Sequence, residues 1–283
     1  MKLYVVMPVV NCLELTQAAI DSIGSPCNII LIDNASTDGT PRWGEKLHNE
    51  QMLGQKKLIY VRNNSRKSVA ASWNQGVKMA FEDPECEYVA VLNNDIVLHK
   101  KTLDHLMKFM DKTGYLMVTG DNIKDRMGID SLLGLELPMP FTDYDCQEIN
   151  EWRAEGPDFS CFLICRETIR VIGWFDENFE GAYCEDQDYH ARSSMARKHI
   201  EKHNDQGIPA GRVHFKRLSC APYFHYASET LKRNPELRLD ISSYHGRNQG
   251  YYIRKFGGEH PNVMDGKGFE QPFGDATKNW RDW

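Results

Sequence analysis

The chain has 283 residues, of which 41% are hydrophobic and 26% charged, and its formal net charge is −6. This composition is ordinary for a globular protein with a sizeable core, and the negative charge provides no general attraction to nucleic acid or to anionic membranes. The longest apolar runs fall well short of the roughly 20 residues that cross a bilayer, so we expect no transmembrane helix.

The first 120 residues alternate between short β-rich runs and amphipathic segments. The opening MKLYVVMPVV is expected to be a core strand and not a signal peptide, because Pro8, Asn11 and Glu14 interrupt the apolar stretch that it begins. Such alternation predicts a mostly parallel sheet covered by helices. The predicted strands are 3–10, 28–33, 58–62, 88–92 and 115–119, and the predicted helices are 13–23, 41–47, 68–81 and 102–110.

Regular patterning fades over residues 121–157, which are typical of a long connection or an inserted lobe. It resumes with a strand in DFSCFLIC, a short helix from Arg166 and a longer helix beginning near EDQD. An apolar strand around APYFHY, a helical run in SSYHGRNQGYYIRKF and an aromatic, Gly-rich tail complete the chain. We therefore divide the chain into three parts, residues 1–120, 121–230 and 231–283.

The eight cysteines are scattered, without the paired C-x-x-C spacing of a zinc site. Several of them lie in apolar runs such as FSCFLIC. We expect them to be free, buried thiols in a reducing cytoplasm.

The second predicted strand runs into the polar loop DNASTDGT. Open α/β sheets bind ligands at strand ends, so Asp33, Ser36 and Asp38 are candidates for hydrogen bonds to a ribose and a base. A turn in which Asp38 caps the following helix explains the same residues equally well.

The fourth predicted strand ends in NNDIV. Asp95, beside two neutral amides, can bind a divalent cation whose remaining ligands are water and phosphate oxygens, as magnesium prefers. A simple β-turn with Asn and Asp at turn positions is the other interpretation of this cluster.

A third cluster, EDQD, opens a predicted helix, where the positive end of the helix dipole favours acidic residues. Asp188 can pair with Arg192 one turn later. Asp186 is then left unpaired and able to act as a general base.

Several familiar catalytic motifs are absent from the sequence: G-x-x-x-x-G-K-[ST], G-x-G-x-x-G, H-E-x-x-H and G-x-S-x-G. Their absence disfavours a P-loop enzyme, a zinc protease and a serine hydrolase.

Six motifs occur in an order that resembles family-2 glycosyltransferases with the GT-A fold: VVMPVVN, IDNASTDGT, NNSRKSVAASWNQG, VLNNDIVL, DFSCFLICRETIRVIGWFDENF and CEDQDYHAR. The resemblance covers about residues 1–197, and FHYASET and YYIRKFGG show a weaker similarity. It implies a GT-A type α/β fold: a mostly parallel, Rossmann-like central sheet flanked by helices, with a C-terminal extension on the acceptor side. Residues 1–120 would then be the nucleotide-sugar-binding half, 121–230 the acceptor-binding and catalytic half of the same domain, and 231–283 a C-terminal helix and aromatic tail.

The resemblance also implies which residues bind the sugar donor and a divalent metal, Mn²⁺ or Mg²⁺. NND stands where the family has its metal-binding Asp-x-Asp motif, so Asp95 would bind the metal, while Asn93 replaces an expected Asp. His225, after the last core strand, would be a second metal ligand, although a histidine packed in an aromatic cluster is an equally good interpretation. The implied donor-binding residues are Pro8, Asn11, Asp33, Ser36, Asp38, Asn74, Gly76, Asn93 and Asn94.

The ED pair matches the catalytic element of the family, so Asp186 would be the base and Glu185 a neighbour that orients the acceptor. Trp174 and Tyr183 offer flat apolar faces of the kind that bind sugar rings, and we expect them on the acceptor side. Packing of the Trp174 ring against the sheet is the competing interpretation.

The expected function is therefore metal-dependent, inverting transfer of a sugar from a nucleoside-diphosphate donor, a UDP-sugar first, to a hydroxyl of a glycan. The alternatives are transfer to DNA or protein, with nucleic acid disfavoured by the net charge, and a non-catalytic nucleotide-sugar-binding relative, which Asn93 keeps open. We expect a cytoplasmic protein, with peripheral contact to a membrane-bound acceptor as the alternative.

Overall fold

The computed structural model describes residues 2–50, 52–53, 56–136, 158–203, 207–227 and 229–257. Its elements are, in chain order, β1 (Lys2–Val9), α1 (Leu13–Ser22), β2 (Asn28–Asp33), α2 (Thr40–Glu50), β3 (Met52–Leu53), β4 (Lys56–Arg62), α3 (Val69–Glu82), β5 (Cys86–Leu92), β6 (Ile96–Leu98), α4 (Thr102–Thr113), β7 (Met117–Asn122), α5 (Ile129–Leu133), β8 (Cys161–Cys165), α6 (Arg166–Ile172), α7 (Glu185–His203), a 3-10 helix (Ala210–Val213), β9 (Lys216–His225), α8 (Glu229–Arg233) and α9 (Pro235–Phe256).

The described strands form one sheet in the order β3-β4-β2-β1-β5-β8-β7-β9-β6. The run β4-β2-β1-β5 is parallel, β8 is antiparallel to both of its neighbours, and β9 is parallel to β7. The carboxyl ends of β1, β2, β5, β7 and β9 therefore lie at one edge of the sheet, and β8 starts from that edge. The predicted fold class is confirmed, and the sheet is mixed because β3, β6 and β8 run antiparallel to their partners.

The period-2 pattern of β1 fixes two hydrophobic layers, since successive side chains point to opposite faces of a sheet. Leu3, Val5 and Met7 belong to one layer, together with apolar residues of α1, α2 and α4. Tyr4 and Val6 belong to the other layer, together with apolar residues of α3, α6 and α7. The core thus covers both faces of the sheet and leaves its polar edge for a ligand.

The predicted boundaries of several elements are close to those of the structure. Ser68 is the predicted N-cap of α3, and its hydroxyl accepts a hydrogen bond from Ala71 N at 3.2 Å. The strand predicted at 115–119 begins two residues later and extends to Asn122. In the connection expected at 121–157, α5 forms over Ile129–Leu133, and residues 137–157 lie outside the described part of the chain.

The expectation that all eight cysteines are free thiols is wrong for Cys220, which is disulfide-bonded. A disulfide depends on two Cβ atoms approaching within about 4 Å, which the spacing of cysteines in a sequence does not reveal. Cys12, Cys27, Cys86, Cys161, Cys165 and Cys184 are free.

Within the described ranges, no helix combines the length and the apolarity that a membrane span requires.

Candidate active site

A cavity of about 1210 Å³ opens at the edge of the sheet where β1, β2, β5, β7 and β9 end. It is larger than the ~300–1,000 Å³ of a typical small-ligand pocket. Its lining includes residues that follow β1 and β5, the segment before β8, the loop before α7, the end of β9 and one side of α9. The predicted site residues in the lining are Pro8, Asn93, Asn94, Asp95, Tyr183, Glu185, Asp186 and His225.

Asp95 and His225 meet in this cavity, although 130 residues separate them in the chain. The pairing of β6 with β9 places Ile96 opposite His225, and the two side chains lie 3.1 Å apart, from Asp95 Oδ1 to His225 Nε2. Asp95 Oδ2 accepts a hydrogen bond from Glu229 N at 3.2 Å. His225 Nδ1 lies 3.1 Å from Ser160 Oγ, which fixes the plane of the imidazole.

The donor set of this pair could serve a divalent cation. A carboxylate oxygen and an imidazole nitrogen that face each other in a cavity are two ligands. In the described part of the chain, no group of three or more His, Cys, Asp or Glu converges in a way that would hold a metal. A cation here would therefore need its other ligands from water or from a bound ligand.

The two asparagines of the NND turn have internal partners. Asn93 Nδ2 donates to Ser160 Oγ at 3.2 Å, the hydroxyl that also contacts His225. Asn94 Nδ2 donates to Thr16 Oγ1 at 3.1 Å, and its Oδ1 accepts from Thr230 Oγ1 at 3.3 Å. Asn93 is therefore connected to the Asp95–His225 pair through the Ser160 hydroxyl. A carboxylate at position 93 could not donate this hydrogen bond.

Asp158 is a cavity residue that sequence reasoning missed. Its carboxylate accepts from Ser160 N at 2.9 Å and from Asn122 Nδ2 at 3.4 Å. Burial alone would raise the pKa of Asp158, but the hydrogen bonds from Ser160 and its neighbours outweigh burial and lower it. The signal was available in the Asp-x-Ser turn of DFS, directly before β8.

Glu185 and Asp186 open α7 and face the same cavity. Burial raises the pKa of the Glu185 carboxyl, and the neighbouring charge of Asp186 raises it further. Burial also raises the pKa of Asp186, against the hydrogen bond that Gln187 N donates to Asp186 Oδ1 at 2.7 Å. As predicted, Asp188 pairs with Arg192, at 2.8 Å from Oδ2 to Nε.

The loop after β2 is held by its own side chains and by Arg62. Asp33 is fully buried, accepts from Ser36 N at 2.8 Å through Oδ1, and pairs with Arg62 Nη1 at 2.6 Å through Oδ2. Asp38 accepts from Thr40 N at 2.9 Å and from Leu13 N at 3.1 Å. The capping interpretation of Asp38 is therefore the one that its contacts support.

Asn11 connects this loop to the end of β1. Its backbone N–H donates to Ser36 Oγ at 2.8 Å, and its Oδ1 accepts from Thr37 N at 2.7 Å. Its Nδ2 donates to Asn234 Oδ1 at 2.8 Å, which joins the loop to the segment between α8 and α9. Asn11, Asp33, Ser36 and Asp38 thus form one connected loop structure beside the cavity, without lining it.

Asn74 and Gly76, both on α3, have structural contacts that account for them. Asn74 Nδ2 donates to Phe175 O at 2.8 Å, and its Oδ1 accepts from Phe175 N at 3.0 Å. A Cβ at position 76 would lie 2.2 Å from Val6 Cγ1, so the glycine allows α3 to lie close against β1. Neither residue lines the cavity.

The two predicted acceptor residues differ in position. Tyr183 is 41% exposed, lines the cavity and contacts the His245 ring at 5.3 Å between centroids. Trp174 is outside the cavity lining, and Lys78 Nζ lies 5.1 Å above its ring.

Strained backbone is concentrated around this edge of the sheet. Positive φ at a non-glycine residue costs on the order of 1–3 kcal/mol and is common at functional sites. Among the described residues it occurs after β1, after β2, before α7 and after β9: Asn11 (59°), Cys12 (60°), Ala35 (63°), Tyr183 (79°), Cys184 (74°) and Ala227 (59°).

Comparison with known proteins agrees with the fold. The family model described as Glycosyl transferase family 2 matches residues 4–172. Together with the sheet order, this match defines a GT-A glycosyltransferase fold. The chain belongs to Glycosyl transferase family 2.

Two curated relatives carry glycosyltransferase names. The low-salt glycan biosynthesis hexosyltransferase Agl10 of Haloferax volcanii is 21% identical over 169 residues, which cover 56% of this chain and 50% of that protein. The uncharacterized glycosyltransferase MG060 of Mycoplasma genitalium is 26% identical over 130 residues, which cover 44% of this chain and 42% of that protein. The matched regions thus span half or less of these relatives.

Solved structures share the fold at low sequence identity. TarS of S. aureus, residues 1–349 in complex with UDP-GlcNAc, aligns with a TM-score of 0.54 at 16% identity over 94% of this chain and 76% of that one. The mannosyltransferase PcManGT of Pyrobaculum calidifontis, in complex with GDP-Man and Mn²⁺, aligns with a TM-score of 0.54 at 15% identity over 94% of this chain and 67% of that one.

Proposed function

We propose that this chain transfers a sugar from a nucleoside-diphosphate donor to an acceptor hydroxyl, with inversion at the anomeric carbon. The observation that carries the proposal is that one cavity contains two polar centres: the Asp95–His225 pair and the Glu185–Asp186 pair. The first suits a cation and a diphosphate, and the second suits proton transfer. Family membership supports the same reaction.

The donor is a nucleoside diphosphate sugar, with a UDP-sugar as the first candidate. Structural neighbours were solved with UDP, UDP-GlcNAc and GDP-Man, and the last also contains Mn²⁺. Asp95 and His225 would hold Mn²⁺ or Mg²⁺ together with the donor phosphates. When bound, the cation supplies electrostatic stabilisation of the charge that develops on the leaving diphosphate.

Asp186 is the proposed general base. It is only partly covered, faces the cavity, and its backbone hydrogen bond from Gln187 N occupies one oxygen, Oδ1. The other oxygen can accept the proton of an acceptor hydroxyl as that hydroxyl attacks the anomeric carbon from the face opposite the diphosphate. A single displacement of this kind inverts the configuration.

The acceptor enters on the side of Tyr183 and α9. Tyr183 presents an exposed ring to the cavity, as a sugar-stacking residue does. The name of the Haloferax relative refers to glycan biosynthesis. We therefore place a glycan hydroxyl first among the acceptors.

Asp186→Asn tests the assignment, because it keeps the shape of the side chain and removes the base. We expect sugar transfer to fall by about 10²–10⁴-fold while the Kd for UDP, measured by calorimetry with Mn²⁺, stays within about twofold of the parent. Asp21→Asn, the same change at an exposed residue of α1, is the control and should leave transfer unchanged. Normal turnover by Asp186→Asn would show that the base is a different residue.

A further inference from the structure

The loop before the proposed base, residues 180–184, has an unfavourable backbone conformation. Gly181, Tyr183 and Cys184 all have positive φ, at 62°, 79° and 74°. Left-handed conformations of this kind persist in non-glycine residues only where the surroundings impose them. Because Cys184 directly precedes Glu185 and Asp186, whatever imposes this conformation also sets where the two carboxylates lie.

The side chain of Asn248, on α9, makes the main contacts that impose this loop conformation. Asn248 Nδ2 lies within hydrogen-bond distance of three carbonyl oxygens of the loop, which share its two N–H donors: Glu180 O at 2.8 Å, Ala182 O at 3.1 Å and Tyr183 O at 3.0 Å. Asn248 Oδ1 accepts from Glu180 N at 3.1 Å. The side chain is 2% exposed, so water does not compete for these bonds.

The chemistry of the amide fixes its orientation. Three carbonyl oxygens converge on one position, and only an N–H donor is attractive there, since an oxygen would be repelled by all three. The requirement is therefore for an amide at this length of side chain. A carboxylate of the same shape does not meet it.

α9 is itself fixed relative to α7 by a buried group of charges. Lys255 Nζ lies 2.6 Å from Asp176 Oδ2 and 2.6 Å from Asp188 Oδ1, and all three side chains are almost fully buried. Asp188 is on the first turn of α7, two residues after Asp186. The loop is thus held between two helices whose separation the Lys255 contacts determine.

The loop also packs closely against α9. A Cβ at position 181 would lie 2.6 Å from Tyr244 Cδ2, and Gly181 O accepts from Val69 N at 2.8 Å. The backbone of Gly181 is therefore confined between α3 and α9, and Asn248 fixes the residues on either side of it.

We propose that Asn248 is a positioning residue that holds the 180–184 loop in its left-handed conformation and so places Asp186 for proton transfer. This inference rests on the proposed function. Asn248 acts through the loop and does not line the cavity itself. Because its hydrogen bonds go to the 180–184 loop and not to Asp95 or His225, its loss should affect the chemical step and leave donor binding unchanged.

Two readouts on the full chain test this role: hydrogen exchange of the 180–184 segment, and the kcat and donor KM of sugar transfer. Asn248→Asp places an oxygen against the three carbonyls, and Gln249→Glu makes the same chemical change at the next, exposed residue of α9. We expect Asn248→Asp to speed exchange of the segment roughly tenfold, to lower kcat about 10²-fold and to keep the donor KM within about twofold. Gln249→Glu should change none of these values.

Exchange and kcat that stay near the parent values in Asn248→Asp would overturn the proposal, as would a rise in donor KM that accounts for the whole loss of activity. If Asn248→Asp fails to fold, Asn248→Ala, which removes the amide without adding charge, is measured in the same two ways with the same criteria. If the parent chain itself transfers no sugar, the proposed function fails, and hydrogen exchange still decides whether Asn248 holds the loop.

Discussion

Asp95 and His225 show how two residues with unremarkable local sequence form a site through strand pairing. The local sequence explains Asp95 as a turn residue and His225 as a histidine in an aromatic cluster. Only the pairing of β6 with β9 brings Asp95 Oδ1 to 3.1 Å from His225 Nε2. Ser160 then orients the imidazole from the other side. Two side chains that face each other and are each held by a further hydrogen bond form the arrangement expected of metal ligands.

Asp95→Ala should therefore weaken Mn²⁺ binding in the presence of UDP by roughly tenfold or more, because loss of even an indirect partner costs about that much. Calorimetric titration of Mn²⁺ into the UDP complex measures the effect. Asp21→Ala, at an exposed carboxylate on α1, is the control. Equal Mn²⁺ affinity in Asp95→Ala and in the parent would exclude Asp95 as a ligand.

The buried carboxyl of Glu185 makes the stability of the fold depend on pH. Burial raises the pKa of its carboxyl, and Glu185 Oε2 has no hydrogen-bond partner among the described residues. A folded-state pKa above the unfolded value means that stability is highest below the unfolded pKa and falls as the pH rises through the folded pKa. Folding therefore costs free energy at neutral and alkaline pH, where the unfolded carboxyl is charged and the buried one must take up a proton or carry a poorly solvated charge.

Glu185→Gln should accordingly raise the melting temperature at pH 8, by about 2–4 °C for each kcal/mol of the penalty that it removes. The difference should shrink toward zero at pH 4, where both proteins are uncharged at this position. Thermal unfolding followed by circular dichroism at the two pH values measures it, with Glu82→Gln, at an exposed carboxylate, as the control. A Glu185→Gln protein that is less stable than the parent at pH 8 would contradict the assigned direction of the pKa shift.

At the scale of elements, the close approach of α3 to β1 depends on Gly76. A methyl group there would lie 2.2 Å from Val6 Cγ1, in the middle of a core layer. Gly246, on α9, has the opposite situation, because a Cβ there meets nothing within 4 Å. The same substitution at the two positions should therefore have effects of opposite sign.

Gly76→Ala should lower the free energy of unfolding by about 1–3 kcal/mol through overpacking. Gly246→Ala should raise it by about 0.5–1 kcal/mol, because alanine loses less backbone entropy in a helix. Urea denaturation of the two variants and the parent measures both effects. A stabilising Gly76→Ala would mean that α3 can move away from β1 without loss of packing.

At the scale of the whole molecule, the directions of the strands bring the residues of the site together at one edge of the sheet. The sequence predicted the polar ends of β2 and β5 and the acidic start of α7, since turn chemistry, helix dipoles and period-2 burial are local properties. It did not predict the antiparallel β8, which brings Asp158 and Ser160 to the same edge. That placement depends on pairing between strands about 70 residues apart.

The residues whose roles the sequence did not predict also contact partners that are distant along the chain. Asn248 and Lys255 lie in a segment that the sequence predicted only as a helical run, and their partners are 65 or more residues away. An asparagine or lysine in a helix is usually solvated, so neither had a local signal.

The measurement that tests the central claim most directly is nucleotide release from a panel of donors. The purified parent chain and its Asp186→Asn variant are incubated with UDP-, GDP-, dTDP- and CMP-sugars, with Mn²⁺ or with a chelator, and released nucleotide is quantified. We predict Mn²⁺-dependent release from one nucleoside diphosphate sugar, with a UDP-sugar as the first candidate, and its loss both in Asp186→Asn and with the chelator. Release from no donor, together with no detectable binding of any donor by calorimetry, would contradict the account.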